Sequence, residues 1–423
     1  MQQFNQETSM AVEHGWKKKT AIFLSSQSLS LFGSMLVQYA IIWHITLTTQ
    51  SGAILTISTL AGFLPQILIS LFAGVWADRY PRKFLIMASD SLTAVSTLVL
   101  AVAFLLGYQE LWLIFLISGI RSIGAGIQMP AVNALLPQIV PGDKLIKVNS
   151  LNNTLQPIIM ITTPILSGAL LSFSRLEMIF FIDVITAALA VGLIYWLQVP
   201  PLPRSAAPQN HDYLFDLRAG LAYIRTNRIV MALSIFYAFT FFLVSPVAFL
   251  SPLLVARSFG EEVWRLTANE VTFFGGSILG GLLMTIWGGY SNRFRTLGLT
   301  CVMWAVLFTG LGLTKDFNLY LVLMTLSGIP MPFFGATTTT LLQENVRPDM
   351  HGRVFGVQAL ISNTVMPVGM LIFGPLSDVV SIEFLLVVAS ALMVIPGVWI
   401  FFHRAGVSVS SPHASEIEMQ PGD

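Results

Sequence analysis

Apolar runs divide this chain almost end to end, at roughly 20–45, 52–77, 83–106, 110–136, 147–172, 176–199, 228–256, 268–290, 295–314, 317–342, 354–377 and 382–403. Each is long enough for a helix to cross a bilayer, which takes about 20 residues. Only helices and closed barrels satisfy every backbone group inside lipid, and a barrel would show alternating segments of about 10 residues instead. Of the 423 residues, 55% are hydrophobic and 10% charged, against about 25% charged in soluble domains. A water-soluble fold has no place for so much apolar surface. The expected fold is an all-α membrane protein of twelve transmembrane helices.

The loops differ in charge by side. Those on the side of the N-terminus hold most of the 22 Lys and Arg residues, among them Lys17, Lys18, Lys19, Arg79, Arg82, Lys83, Arg293 and Arg295; the other side holds Arg175, Arg257, Arg265 and Lys315. Cytoplasmic loops are enriched in Lys and Arg. The basic side is therefore expected inside, with both termini there, as an even number of spans requires. The net charge of +1 points to no nucleic-acid partner. A lone cysteine, Cys301, gives no intrachain disulfide and no cysteine-built metal site, and no metal or cofactor is expected. The run after Lys19 is longer than the apolar stretch of a cleavable signal and reads as a retained span.

Segment 200–228 is the longest polar break. Pro200, Pro201 and Pro203 stop a helix. Leu214, Leu217, Leu221 and Ile224 then recur at helical spacing, which predicts a short amphipathic helix over 212–227 lying on the membrane surface. The chain divides into a six-helix half over 1–199, a linker over 200–227, a second six-helix half over 228–403 and a tail over 404–423 expected to be disordered. A weak repeat supports the division, since Gly74-x-x-x-Asp78-Arg79 recurs as Gly288-x-x-x-Asn292-Arg293. Repeated halves place a substrate site near the midplane where they meet. Prolines inside spans, including Pro65, Pro130, Pro157, Pro330 and Pro332, predict kinks.

Four charges lie between the second and third runs, in Gly74-Val75-Trp76-Ala77-Asp78-Arg79-Tyr80-Pro81-Arg82-Lys83. The form Gly-x-x-x-Asp-Arg-x-x-Arg-Lys closely resembles the loop between helices 2 and 3 of the major facilitator superfamily, with Pro81 where that pattern has Gly. Phrases such as Arg121-Ser122-Ile123-Gly124 and Gly352-Arg353-Val354-Phe355 look like the superfamily's bacterial macrolide-efflux permeases, of the drug:proton antiporter type. The resemblance implies two pseudo-symmetric six-helix halves. It also implies a gating role for Gly74, Asp78, Arg79, Arg82 and Lys83, with Asp78 engaging a helix N-terminus of the other half, naturally that of span 11 near Arg353.

Arg121 stands near the centre of span 4, where a charge must face a cavity or a partner. The basic residue and the glycines after it resemble the superfamily pattern linked to proton coupling. Asp90 and Asp183 are the other acids well inside spans, and either is a candidate to pair with Arg121 or to carry a proton. Asp90 is about two turns from the basic side, close enough to be solvated or bonded to span 2. Asp378 ends span 11 and reads as structural. Gln27, Ser30, Ser34 and Gln38 form one polar stripe on span 1, and Asn152 and Gln156 share a face of span 5. Such stripes line wet cavities or join helices. Gln128, on the Arg121 face, and Met129, Phe241, Phe333 and Phe334 complete the candidate substrate cavity.

The resemblance implies a monomeric exporter in a bacterial inner membrane, moving an amphipathic small molecule outward by alternating access and driven by inward proton flow. No Walker A loop is visible, so ATP is not the expected energy source. A physiological exporter, of a siderophore or lipid for example, and a non-transporting receptor or scaffold are the other readings.

Overall fold

The computed structural model describes residues 15–199 and 213–402; the expected disordered tail and the front of the linker lie outside them. The described chain is a succession of helices: α1 (Trp16–Thr49), α2 (Gly52–Arg79), α3 (Arg82–Leu105), α4 (Leu111–Ile139), α5 (Leu145–Phe173), α6 (Leu176–Trp196), α7 (Tyr213–Thr226), α8 (Arg228–Ser258), α9 (Val263–Trp287), α10 (Arg293–Leu313), α11 (Phe317–Gly328), α12 (Pro330–Asn345), α13 (His351–Leu376) and α14 (Ile382–Phe402). Among the described residues, 12 stretches are long and apolar enough to cross a membrane, α11 and α12 together making one of them.

Helix ends follow local chemistry. The first N–H groups of a helix lack backbone partners and are met by side-chain oxygens. Ser51 accepts from Ile54 N at 3.3 Å, Asn292 from Phe294 N at 3.1 Å and Asp316 from Leu319 N at 2.8 Å. Gly288 closes α9 in the left-handed region, at φ +71°. The second copy of the repeat is thus a helix stop followed by a helix cap. The span expected as one helix over 317–342 is broken at Ile329, because Pro330 and Pro332 have no N–H for the carbonyls four residues back.

One apolar cluster gathers Phe23 at the start of α1, Ala77 at the end of α2, Ile86 at the start of α3, Leu135 at the end of α4, Val148 at the start of α5 and Ile194 at the end of α6. The six helices therefore alternate in direction, and these ends share the basic face with Arg82 and Lys83. In the second half, Arg293 at the start of α10 pairs with Glu344 near the end of α12 at 2.9 Å, and Asn227 before α8 donates to Asn345 O at 3.2 Å. A second cluster runs through both halves and joins Trp43 and Leu55 to Leu250, Leu254 and Met370. These residues lie toward the face opposite the basic one, so the halves are packed together on that side.

The amphipathic helix α7 docks on protein rather than resting its whole leucine face on lipid. Leu217 and Ile224 join the core, a Cβ on Gly220 would lie 2.7 Å from Arg353 O, and Leu221 remains exposed. Arg353 Nε donates to Asp216 Oδ1 at 2.8 Å, and Arg347 N to Tyr223 Oη at 3.1 Å. These contacts hold α7 against the start of α13.

Candidate functional site

Small residues on α4 let it approach two neighbours closely. A Cβ on Gly124 would lie 2.6 Å from Thr93 Oγ1 of α3, and one on Gly126 would lie 2.8 Å from Gln66 O of α2. The Gln66 N–H donates to Ser122 Oγ at 2.9 Å. This packing carries Arg121 into the interior, where it is 8% exposed. Its guanidinium forms an ion pair with Asp183 of α6 and donates to Thr97 Oγ1 of α3 and, at 3.3 Å, to Ser34 O of α1. Thr97 also donates to Asp183 Oδ2 at 2.9 Å. Of the two acids open as partners, the structure places Asp183 beside Arg121, with 1% of its surface exposed.

Asp90 is 2% exposed, too buried to be solvated, and among the described residues it is bonded to α1 and α4 rather than to α2. Its Oδ1 accepts from Ser30 Oγ at 2.6 Å and Gln128 Nε2 at 2.7 Å. Its Oδ2 is buried with no hydrogen-bond partner among the described residues. Gln128 also reaches Gln27 Oε1 at 3.4 Å. Arg121 and Gln128, about two turns apart on α4, therefore each hold one acid.

Between α1, α2, α4 and α5 lies a cavity of about 380 Å³, within the usual range of about 300–1,000 Å³ for small-molecule sites. Gln27, Ser34 and Gln38 line it from α1, Arg121, Gln128 and Met129 from α4, and Asn152 and Gln156 from α5. Leu31, Met35, Phe63 and Leu155 add apolar wall. A pocket of about 120 Å³ shares Gln27, Asn133 and Asn152 and continues toward Phe23 and Leu136, near the basic face.

Phe241, Phe333 and Phe334 are not in that wall. Phe334 packs on Phe236, Tyr237, Phe241 and Trp304 with ring centroids 5.5–6.0 Å apart, and Phe333 is buried with its ring 5.6 Å from Trp287. Aromatic helix positions read the same in sequence whether they face a cavity or a core, and these fill the second half.

In the charged motif, Gly74 and Arg79 are exposed, and the Asp78 side chain lies outside the described residues. Arg82 donates to Ala77 O at 3.1 Å and Ala134 O at 2.7 Å; Lys83 Nζ donates to Tyr195 O at 2.7 Å and Leu197 O at 2.9 Å. Both cations thus serve the C-terminal carbonyls of α2, α4 and α6, where helix dipoles are negative. Arg353, at the start of α13, is held by Asp216.

Sequence reasoning missed Glu270. With α9 expected from 268 it counted as a boundary residue, but the helix starts at Val263, which puts Glu270 two turns inside. It accepts from Asn269 Nδ2 at 3.4 Å, and Asn269 also donates to Ser251 Oγ at 3.2 Å and accepts from Tyr320 Oη at 2.8 Å.

A bundle of this kind, with polar cavities and a buried ion pair among its helices, is that of a multi-pass membrane transporter. The chain belongs to the Major Facilitator Superfamily, whose model matches residues 20–369. It is 29% identical over 386 residues to Macrolide efflux protein A of Streptococcus pyogenes, covering 90% of this chain and 95% of that protein. It is 25% identical over 362 residues to Enterobactin exporter EntS of Shigella boydii, covering 84% and 83%. Its fold resembles the crystal structure of the D-xylose-proton symporter, with TM-score 0.69 and 14% identity over 90% of this chain and 97% of that one. A bacterial homologue of the iron transporter ferroportin is similar too, with TM-score 0.66 and 18% identity over 91% and 99%.

Proposed function

We propose that this protein exports amphipathic small molecules of the macrolide type across a bacterial inner membrane in exchange for protons, by alternating access. The observation that carries the reading is the buried Arg121–Asp183 pair, whose arginine lines an amphipathic cavity. A proton arriving at Asp183 would cancel the charge that holds the guanidinium and free Arg121 toward the cavity. Asp90, held by Gln128 of the same helix, is a second candidate acceptor. In this reading the basic face is cytoplasmic, with both termini there. The halves over 1–199 and 228–403 rock against each other as one monomer, and the linker over 200–227 tethers them. Asp78 and its basic neighbours gate the cytoplasmic end. The proton-motive force replaces any cofactor.

The macrolide-efflux relatives support the substrate class. A second reading, export of a physiological metabolite such as a siderophore, is favoured by the enterobactin-exporter relative and by the amides in the cavity wall. Expression in an efflux-deficient bacterium separates them. The first reading expects macrolide tolerance to rise, and to fall back when the proton gradient is collapsed. Unchanged macrolide susceptibility together with secretion of an endogenous metabolite would select the second.

A further inference from the structure

On the face opposite the basic one, Asp378 lies just past the end of α13 and reaches into the other half. Its Oδ1 accepts from Gly52 N at 2.7 Å, and its Oδ2 from Ala53 N at 2.9 Å and Ser51 Oγ at 2.8 Å. Gly52 and Ala53 open α2, so the carboxylate sits on a helix N-terminus, where the partial charge is positive. Arg257, at the end of α8, holds the same carboxylate at 2.8 Å and donates to Ser377 O at 2.6 Å and to Gln50 O. Gln50 sits in the left-handed region, at φ +47°, and its side-chain amide donates to Glu261. The crossing of α2 and α13 is tight. A Cβ on Gly52 would lie 2.2 Å from Gly374 O, and one on Gly374 would lie 1.7 Å from Thr56 Oγ1.

The spacing matches the motif on the other face. Gly374-x-x-x-Asp378 ends α13 as Gly74-x-x-x-Asp78 ends α2. Because α2 and α13 run in opposite directions, each carries an acid at its C-terminal end, toward the start of the other. We propose that Asp378 is a gating residue that, with Arg257, latches the halves shut at the face opposite the basic one, as the second end of a toggle whose first end is Asp78. This rests on the alternating-access reading above, though not on the identity of substrate or coupling ion.

The latch keeps its charge. Desolvation pushes the Asp378 carboxyl up, but the bonds from Ala53, Gly52, Ser51 and Arg257 outweigh it and hold the group below its ordinary range. For an acid with a lowered value, the interaction is complete above the ordinary carboxylate range and is lost only as pH falls through the lowered value. Beside it stand Arg257, Glu261, held by Gln50, and Glu383, which accepts from Ser258. The latch is therefore insensitive to pH near neutrality.

Spin-label distances in proteoliposomes without substrate test this. In a Cys301→Ser background, labels at Glu110→Cys and Lys315→Cys report the latch face, and labels at Lys144→Cys and Gln343→Cys report the basic face. Asp378→Asn should move the population by about tenfold or more, the weight of one charge-assisted hydrogen bond, toward longer distances on the latch face and shorter ones on the basic face. Arg257→Gln should do the same, and serves alone where Asp378→Asn does not insert. Arg265→Gln, whose 2.7 Å bond to Glu262 stays within one half, should change neither. Unchanged distributions in the Asp378 and Arg257 variants would overturn the latch, even if drug export falls. Shifted distances in a protein that moves no drug would keep the latch and overturn the export reading instead.

Discussion

At the scale of single residues, Arg121 has Asp183 as its compensating charge among packed helices. Replacing one partner of a buried pair leaves the other uncompensated, which costs about 3–5 kcal/mol. Arg121→Ala should therefore melt at lower temperature in detergent and abolish active export. Arg121→Lys should retain little, because it keeps the charge but loses the fork that reaches Asp183, Thr97 and the Ser34 carbonyl together. The double variant Arg121→Ala/Asp183→Ala should recover much of the melting temperature without recovering export. Export at the native rate by Arg121→Ala would remove the residue from the mechanism. The two copies of the repeat should also differ. Asp78→Asn should reduce export with insertion intact. Asn292→Ala should cost about 1 kcal/mol of stability as a lost helix cap and leave transport standing; efflux assays at matched expression check both. Arg121 was legible in the sequence because a permanent charge inside an apolar run demands a partner. Its partner was not, since neither Asp90 nor Asp183 reveals its neighbour until α3, α4 and α6 are packed. Glu270 was hidden by a helix start misplaced by just over one turn.

At the scale of elements, the leucine spacing of α7 announced a helix, but not the surface it covers. Its bed depends on Gly220 lying against the Arg353 carbonyl and on the Asp216–Arg353 bond, contacts between segments far apart in sequence. Gly220→Leu should lift α7 from α13 and destabilise the protein by about 1–3 kcal/mol, as overpacking does. It should slow transport and leave the spectrum of exported drugs unchanged, because no described side chain of α7 lines the cavity. Thermal melting and a panel of drug susceptibilities read the two effects separately, and an altered spectrum would contradict the tethering role. The prolines of the tenth span foretold an irregularity, and the break at Ile329 is where they put it. The aromatic residues of α8 and α12 gave no such guidance, since ring against ring and ring against ligand demand the same residue types.

At the scale of the whole molecule, the number of spans and the membrane class were legible because lipid leaves a helix no alternative to a long apolar run. Which face joins the halves was not. That depends on contacts such as Trp43 and Leu55 with Leu254 and Met370, which no periodicity encodes. The central claim is that drug leaves as protons enter through one cavity. Purified protein in liposomes, loaded with a pH-sensitive dye, tests it when a macrolide gradient is imposed with no initial pH difference. The account predicts proton movement opposite to the drug, scaling with drug flux and absent in Arg121→Ala, with proton-independent drug exchange surviving in that variant. Drug flux that moves no protons and ignores an imposed pH gradient would contradict it.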